Sequence, residues 1–311
     1  MNRPEREIPL TLLIWPHPGE QPDPAWAERP PGPAQGVAQV LWWAPEEALG
    51  GAGPEDLVSR SPGEVVVFCA AARRPSDPFF RQVAQVFEDP RVAAAGGPSP
   101  DPLAAEAGGA LLGAEASFAF PPAGEPAPAA LARYAYAFRI RDLRGLAWPR
   151  PGVAGRDGIT QHLGLCLAAR GGLVVSRPEL ARPVAYPPGL WGYALEQFRR
   201  GWLRFSERRL SGRLPFPPGQ AFRREDGDPV VALTTLALAA EATAWDPARA
   251  LTLAAAAALL AYPLHRPYLK WLSRHEPRLV GLAAGGCLLR PLARTLGMLA
   301  AAVTGLDQGG E

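Results

Sequence analysis

Gly63-Glu64-Val65-Val66-Val67-Phe68-Cys69-Ala70-Ala71-Ala72-Arg73-Arg74-Pro75 begins as an apolar run and ends on small residues, two arginines and a proline. Residues 64–68 have the composition of a strand buried on both faces. Two earlier runs match it: Ile8-Pro9-Leu10-Thr11-Leu12-Leu13-Ile14-Trp15, broken at Pro16-His17-Pro18-Gly19, and Val37 to Trp43. Apolar runs of this length, separated by longer polar stretches, predict parallel strands covered by helices on both sides. The connection between the first two is Pro-rich, so a helix there is short or missing.

Beyond Pro75, Phe79, Val83, Val86 and Phe87 fall on one face at helical spacing, with Asp77 as N-cap and Pro78 in the first turn. This helix stops at Asp89-Pro90, ahead of Val92 to Pro98. Residues 98–130 read as loop, with a short helix over Leu103 to Leu112. Tyr134 to Ile140 alternates and predicts a strand at the edge of the same sheet. Arg156-Asp157-Gly158 reads as a turn. The stretch from Leu163 predicts a helix closed by Gly171-Gly172, then a strand over Leu173 to Val175.

Together these stretches resemble family 2 glycosyltransferases. Residues 63–75 are similar to the family's "GEvvvfLDaDxxP", residues 77–98 to "pdpxflxxlvaaFxdprvaavgGp", and residues 161–181 to "EDxdLcxRlxxxGgxvvxxPelvv". Leu190 to Phe205 looks like the "lxxylxQxxRW" helix, and Leu288 to Gly297 like the "lrplrhlawglG" tail. The resemblance covers roughly residues 8–205 and, with the tail, reaches about 304. It implies an α/β fold, a GT-A-like (Rossmann-like) mixed sheet flanked by helices, followed by a C-terminal apolar helical region. The corresponding division is residues 1–228 and 229–311.

Where the family carries chemistry, this chain departs from it. The two DxD aspartates that hold a divalent cation against the donor diphosphate correspond to Ala70 and Ala72. Mg²⁺ and Mn²⁺ require oxygen ligands at about 2.0–2.2 Å, and alanine methyl groups provide none. The strand ending near the nucleotide base likewise runs into Trp42-Trp43-Ala44-Pro45 in place of carboxylates. The acidic pair whose aspartate is the general base corresponds to Gln161-His162. An imidazole with a pKa near ~6.5 is chemically suited to that role, which makes His162 the candidate catalytic residue. Gln197 and Arg200 match the spacing of "QxxRW", while Trp202 falls one place late. The resemblance implies that Gln197, Arg200 and Trp202 bind substrate, Arg200 through charge-assisted bonds to phosphate. The residues by themselves also fit an amphipathic helix, with Trp191, Leu195, Phe198, Trp202 and Phe205 buried and the arginines outward.

Composition sets further bounds. In 311 residues, 48% hydrophobic, the chain has enough apolar material for a substantial core, and a net charge of +2 gives no case for nucleic acid. Lys270 is the one lysine among 32 Lys and Arg; with Gly 33 and Pro 37 this reads as GC-rich bacterial codon usage. Cys69, Cys166 and Cys287 are far apart, without a CxxC or Cys/His cluster, as expected of buried thiols in a reducing cytoplasm. The N-terminus shows no cleavable leader pattern.

From Pro229 the character changes. Val230 to Trp245 and Arg249 to Leu264 are apolar, joined by Asp246-Pro247, each about 15 residues against the ~20 of a straight membrane span. A membrane hairpin, a helical cap on the soluble domain and a dimer surface remain open as readings. Arginines between Arg199 and Arg224 precede the pair, and His265, Arg266, Lys270, Arg274 and Arg278 follow it, a distribution that favours the cytoplasmic membrane face. The expectation is a catalytically degenerate glycosyltransferase-like protein with no metal and no cofactor. It would bind an active glycosyltransferase or a glycan- or lipid-linked intermediate at that face. The alternative is a metal-independent transferase using a nucleotide-sugar donor.

Overall fold

The computed structural model describes residues 8–15, 21–43, 54–98, 106–119, 135–146, 148, 151–181, 184, 186, 189–211, 232, 262 and 265–306. The chain forms two compact units, one of residues 1–102 and 119–185, the other of residues 103–118 and 186–311. Within the second unit, the helix that begins at Gly189 packs with the C-terminal helix.

The first unit is a six-stranded mixed sheet in the order β2-β1-β3-β5-β4-β6. Its strands are β1 (Leu10–Trp15), β2 (Val37–Trp42), β3 (Val65–Ala70), β4 (Val92–Gly96), β5 (Ala135–Arg139) and β6 (Leu173–Ser176). β1 runs parallel to both β2 and β3, β4 parallel to β6, and β5 antiparallel to both its neighbours. Every residue of β1, β3, β4 and β5 is buried, as continuous apolar runs require when both faces are covered.

Alternation divides these side chains between two layers. Leu10, Leu12, Ile14, Val65 and Val67 pack with Phe79, Phe80, Val83 and Phe87 of and beside α3 (Asp77–Val86). Leu13, Trp15, Val66 and Phe68 pack on the opposite side with Ile159, Leu163 and Leu167 of α6 (Pro151–Ala169). Between β1 and β2 lies only α1 (Ala25–Glu28), four residues long, as its proline content predicts. The short helices α2 (Pro54–Ser59) and α5 (Ile140–Leu143) complete this unit.

Several local expectations are corrected. Ser76, in extended conformation, is the N-cap of α3, and Asp77 is its first residue. Arg156-Asp157-Gly158 lies inside α6 and is not a turn. β5 is internal rather than at an edge, inserted between β3 and β4. Its end explains how it is accommodated: Arg139 is buried, and its guanidinium donates to the carbonyls of Phe87, Asp89 and Val92 at 2.7, 3.0 and 3.0 Å. Those carbonyls belong to the turn between α3 and β4, so one side chain ties that turn to β5. Gly171, at φ +81°, closes α6 as expected.

The second unit is helical: α4 (Ala107–Ala119), α7 (Gly189–Ser211), α8 (265–275) and α9 (Val280–Leu306). Leu111, Leu112, Tyr193, Tyr268, Leu272, Leu279 and Ala283 form its apolar core. The expected short helix over 103–112 is displaced, starting at Ala107 and running to Ala119. The apolar stretches 230–245 and 249–264, with their turn, lie outside the described residues except for Ala232 and Tyr262. Among the described residues no single helix is long and apolar enough to cross a membrane. Pro277–Cys287 and Leu289–Val303, bent by 47°, reach that length and composition only as a pair.

Replacing Arg139 with Met leaves three carbonyls without their donor and is expected to cost about 3 kcal/mol. Urea unfolding, followed by far-ultraviolet circular dichroism, measures the loss as a fall in midpoint.

Candidate functional site

The carboxyl ends of β1 and β3 lie side by side, Trp15 opposite Ala70, and the chain leaves β1 for β2 on one side and β3 on the other. In open α/β sheets such a reversal of strand order opens the crevice where ligands bind. Here it is closed by hydrocarbon. Ala70 and Ala71 are fully buried and Ala72 nearly so. Trp15 and Trp43 meet edge to face with centroids 4.2 Å apart, and the buried Trp43 Nε1 has no acceptor among the described residues.

The loop after β1 caps this end. The Trp26 indole N–H donates to the Ala71 carbonyl at 2.8 Å, and the Asp23 backbone N–H donates to the same oxygen at 2.9 Å. The Asp23 carboxylate accepts from the backbone N–H groups of Ala25 and Arg74 at 2.9 and 3.0 Å. Burial pushes its pKa up, but these two bonds and the charges of Arg73 and Arg74 outweigh burial and hold it below the usual value. Arg74 donates to Asp77 at 2.7 Å and lies over the Trp26 and Phe80 rings. Arg73 donates to the Ala72 carbonyl at 3.1 Å. The carboxylate at this strand end is therefore engaged by backbone, and the charges beside it are cationic. Among the described residues no three His, Cys, Asp or Glu side chains converge as metal ligands.

His162 lies within α6, half-buried, with Nε2 3.4 Å from the Cys166 Sγ one turn on. Burial pushes the Cys166 thiol pKa up, opposed by the charge of Arg170, so the sulfur is held as thiol.

Gln197, Arg200 and Trp202 belong to the second unit. Two of them meet around a residue that carries no motif, Glu115 of α4. Its carboxylate, buried, accepts from the Tyr193 hydroxyl at 2.8 Å and from Gln197 Nε2 at 2.7 Å. Arg200 Nη1 and Arg290 Nη1 stand 3.6 and 3.8 Å from it, and Arg294 Nε donates to Gln197 Oε1 at 2.7 Å. Arg200 also donates to Glu196 at 3.2 Å and lies over the Tyr186 ring. Burial alone would lower the Arg200 pKa, but Glu196, Tyr186 and Glu115 raise it further above its ordinary value. Trp202 is half-buried, with its backbone against Gly297. The amphipathic reading of α7 holds only in part: Trp191 and Leu195 are exposed and Phe198 and Trp202 half-buried, while Tyr193, Gln197 and Gly201 face inward, and the Phe205 side chain lies outside those described.

Sequence reasoning missed Glu115 and Asp23. Glu115 is a lone acid in Leu111-Leu112-Gly113-Ala114-Glu115-Ala116, and an isolated charge in an apolar helix is the signal for a buried partner. Asp23 sits in a Pro-rich loop whose capping of β3 has no local signature. No protein-family model matches the chain, and no curated protein matches it.

Two outcomes follow. Glu115→Gln leaves neighbouring guanidinium groups without their shared carboxylate, and stability is expected to fall by about 3 kcal/mol in denaturant titration. Asp23→Ala is expected to cost about 1 kcal/mol at neutral pH. Because the folded pKa is depressed, that contribution is present above the unfolded value of about 3.9 and disappears as pH falls through the folded pKa. Thermal melts of the wild-type and Asp23→Ala proteins should therefore differ at neutral pH and draw together as the pH is lowered below about 3.9.

Proposed function

We propose that the chain is a glycosyltransferase-like protein of GT-A type whose donor site no longer holds a metal. On this reading it acts as an accessory binding component in glycan or glycolipid synthesis at the cytoplasmic membrane face. The observation that carries the reading is the end of β3, where the side chains of Ala70 and Ala72 close the strand-end crevice with methyl groups. Support also comes from the mixed sheet, in which an antiparallel β5 separates β3 from β4, an order compatible with a nucleotide-binding α/β domain.

Transfer from a sugar nucleotide needs the leaving diphosphate neutralised as the glycosidic bond breaks. The hard-cation route to that neutralisation requires oxygen ligands this strand end does not supply. Gln197 donates across to Glu115 of α4, and Arg200 is engaged with Glu196 of its own helix and with Glu115, so the polar groups of both candidate substrate-binding residues are taken up by internal contacts. A scaffold that keeps its strands while its polar groups turn to internal contacts fits binding to a protein or lipid-linked partner better than turnover.

Isothermal titration of the full chain with UDP-, GDP- and dTDP-sugars, with and without Mn²⁺, tests this. The expected result is no micromolar binding in either condition. Manganese-dependent micromolar binding would sink the proposal, and sugar transfer abolished by His162→Ala would establish a metal-independent enzyme in its place.

A further inference from the structure

The sheet of the first unit ends at β6, which among the described strands pairs with β4 alone. The Arg177 backbone N–H donates to the Gly96 carbonyl at 3.0 Å, so residues 173, 175 and 177 direct their backbone groups to β4. Val174 and Ser176 alternate with them and direct N–H and C=O away from the sheet. Edge strands are commonly blunted by a charge, a proline or a bulge. Leu173-Val174-Val175-Ser176 contains neither charge nor proline, and the irregularity in its pairing falls on β4, between Val92 and Ala94.

Along this edge a groove of about 540 Å³ runs between β6 and α3. Val86, Val92, Leu173, Val175 and Leu180 give it an apolar lining. The groove is preformed. The Tyr136 hydroxyl donates to the Leu180 carbonyl, and Arg139 holds the carbonyls of Asp89 and Val92. Leu173 leaves hydrocarbon uncovered at its mouth, being 42% exposed.

The two ends of the strand differ. At the carboxyl end stands Arg177, exposed and without an ion pair among the described residues, while Glu179 lies beyond the strand on the following turn. At the amino end stands Leu173, whose register partner Val92 follows the groove-lining Asp89 by three residues. A two-fold axis reverses one strand against its copy and brings the cation of each to the apolar, acid-flanked end of the other. The same axis fixes the register. With Val174 facing Ser176 of the second copy, every outward backbone group joins a hydrogen-bonded pair. Val175 then meets its own counterpart, and each Leu173 lies across from the other copy's Arg177, whose methylenes cover it. These pairs share the face that carries the groove. Any extended peptide satisfies the backbone groups. The matching of both ends selects a second copy.

We propose that the chain forms a two-fold dimer by antiparallel pairing of β6 with β6 of a second copy. This interface goes beyond the proposed function and does not depend on what the donor site binds.

Sedimentation equilibrium of the full chain at about 10 μM provides the test, and a mass twice 33.1 kDa is expected. Ser176→Pro removes one outward N–H and no bond to β4, and the Ser176 Oγ has no partner to lose. This variant is expected to sediment as a monomer. Leu173→Arg sets like charges across from each other twice in the dimer and should raise its Kd about tenfold, whereas Leu173→Glu meets Arg177 and should not. Circular dichroism checks that each variant folds, and if the proline variant does not, the two Leu173 variants decide. A monomeric wild type at that concentration overturns the inference. So does a dimer that survives Ser176→Pro, or one that responds alike to Leu173→Arg and Leu173→Glu.

Discussion

The parallel pairing of β1 with β3, both buried on both faces, is the constraint on which the rest of the first unit depends. Six consecutive residue pairs without exposed polar side chains force helices onto each face, and α3 and α6 take those positions. Once the pair is covered, its carboxyl end becomes the natural mouth of the sheet. What lies at the mouth is then decided by a few residues. Here they are small, apolar and sealed from above by Trp26.

Much of this was legible because periodicity and burial agreed. The runs at 8–15, 37–43 and 64–68 became β1, β2 and β3, and Gly171-Gly172 ended a helix. β5 was legible as a strand but not as an inner one, because Tyr136, Phe138 and Arg139 mix bulk and charge. Arginine is read from sequence as an outward residue. Only the three carbonyls of the neighbouring turn reveal why it is buried.

The helical unit was less legible for a related reason. Periodicity identifies the apolar face of a helix but does not say whether that face meets core or another phase. On α7 the apolar stripe and the buried stripe are different, since Gln197 and Tyr193 find Glu115 some 80 positions earlier in the chain. Gln197 and Arg200 were singled out by their spacing as substrate ligands, and in the structure both reach Glu115. A single glutamate in an apolar helix signals that it needs a buried partner, but not which residues supply it.

The Ala71 carbonyl accepts two hydrogen bonds, from Trp26 and from Asp23. A backbone oxygen so occupied is one that a cation could not recruit. Aspartates introduced at positions 70 and 72 alone would thus place charge beneath a lid that is already latched. A cation site at this strand end would require the loop after β1 to be rebuilt at the same time, so no pair of point substitutions creates one.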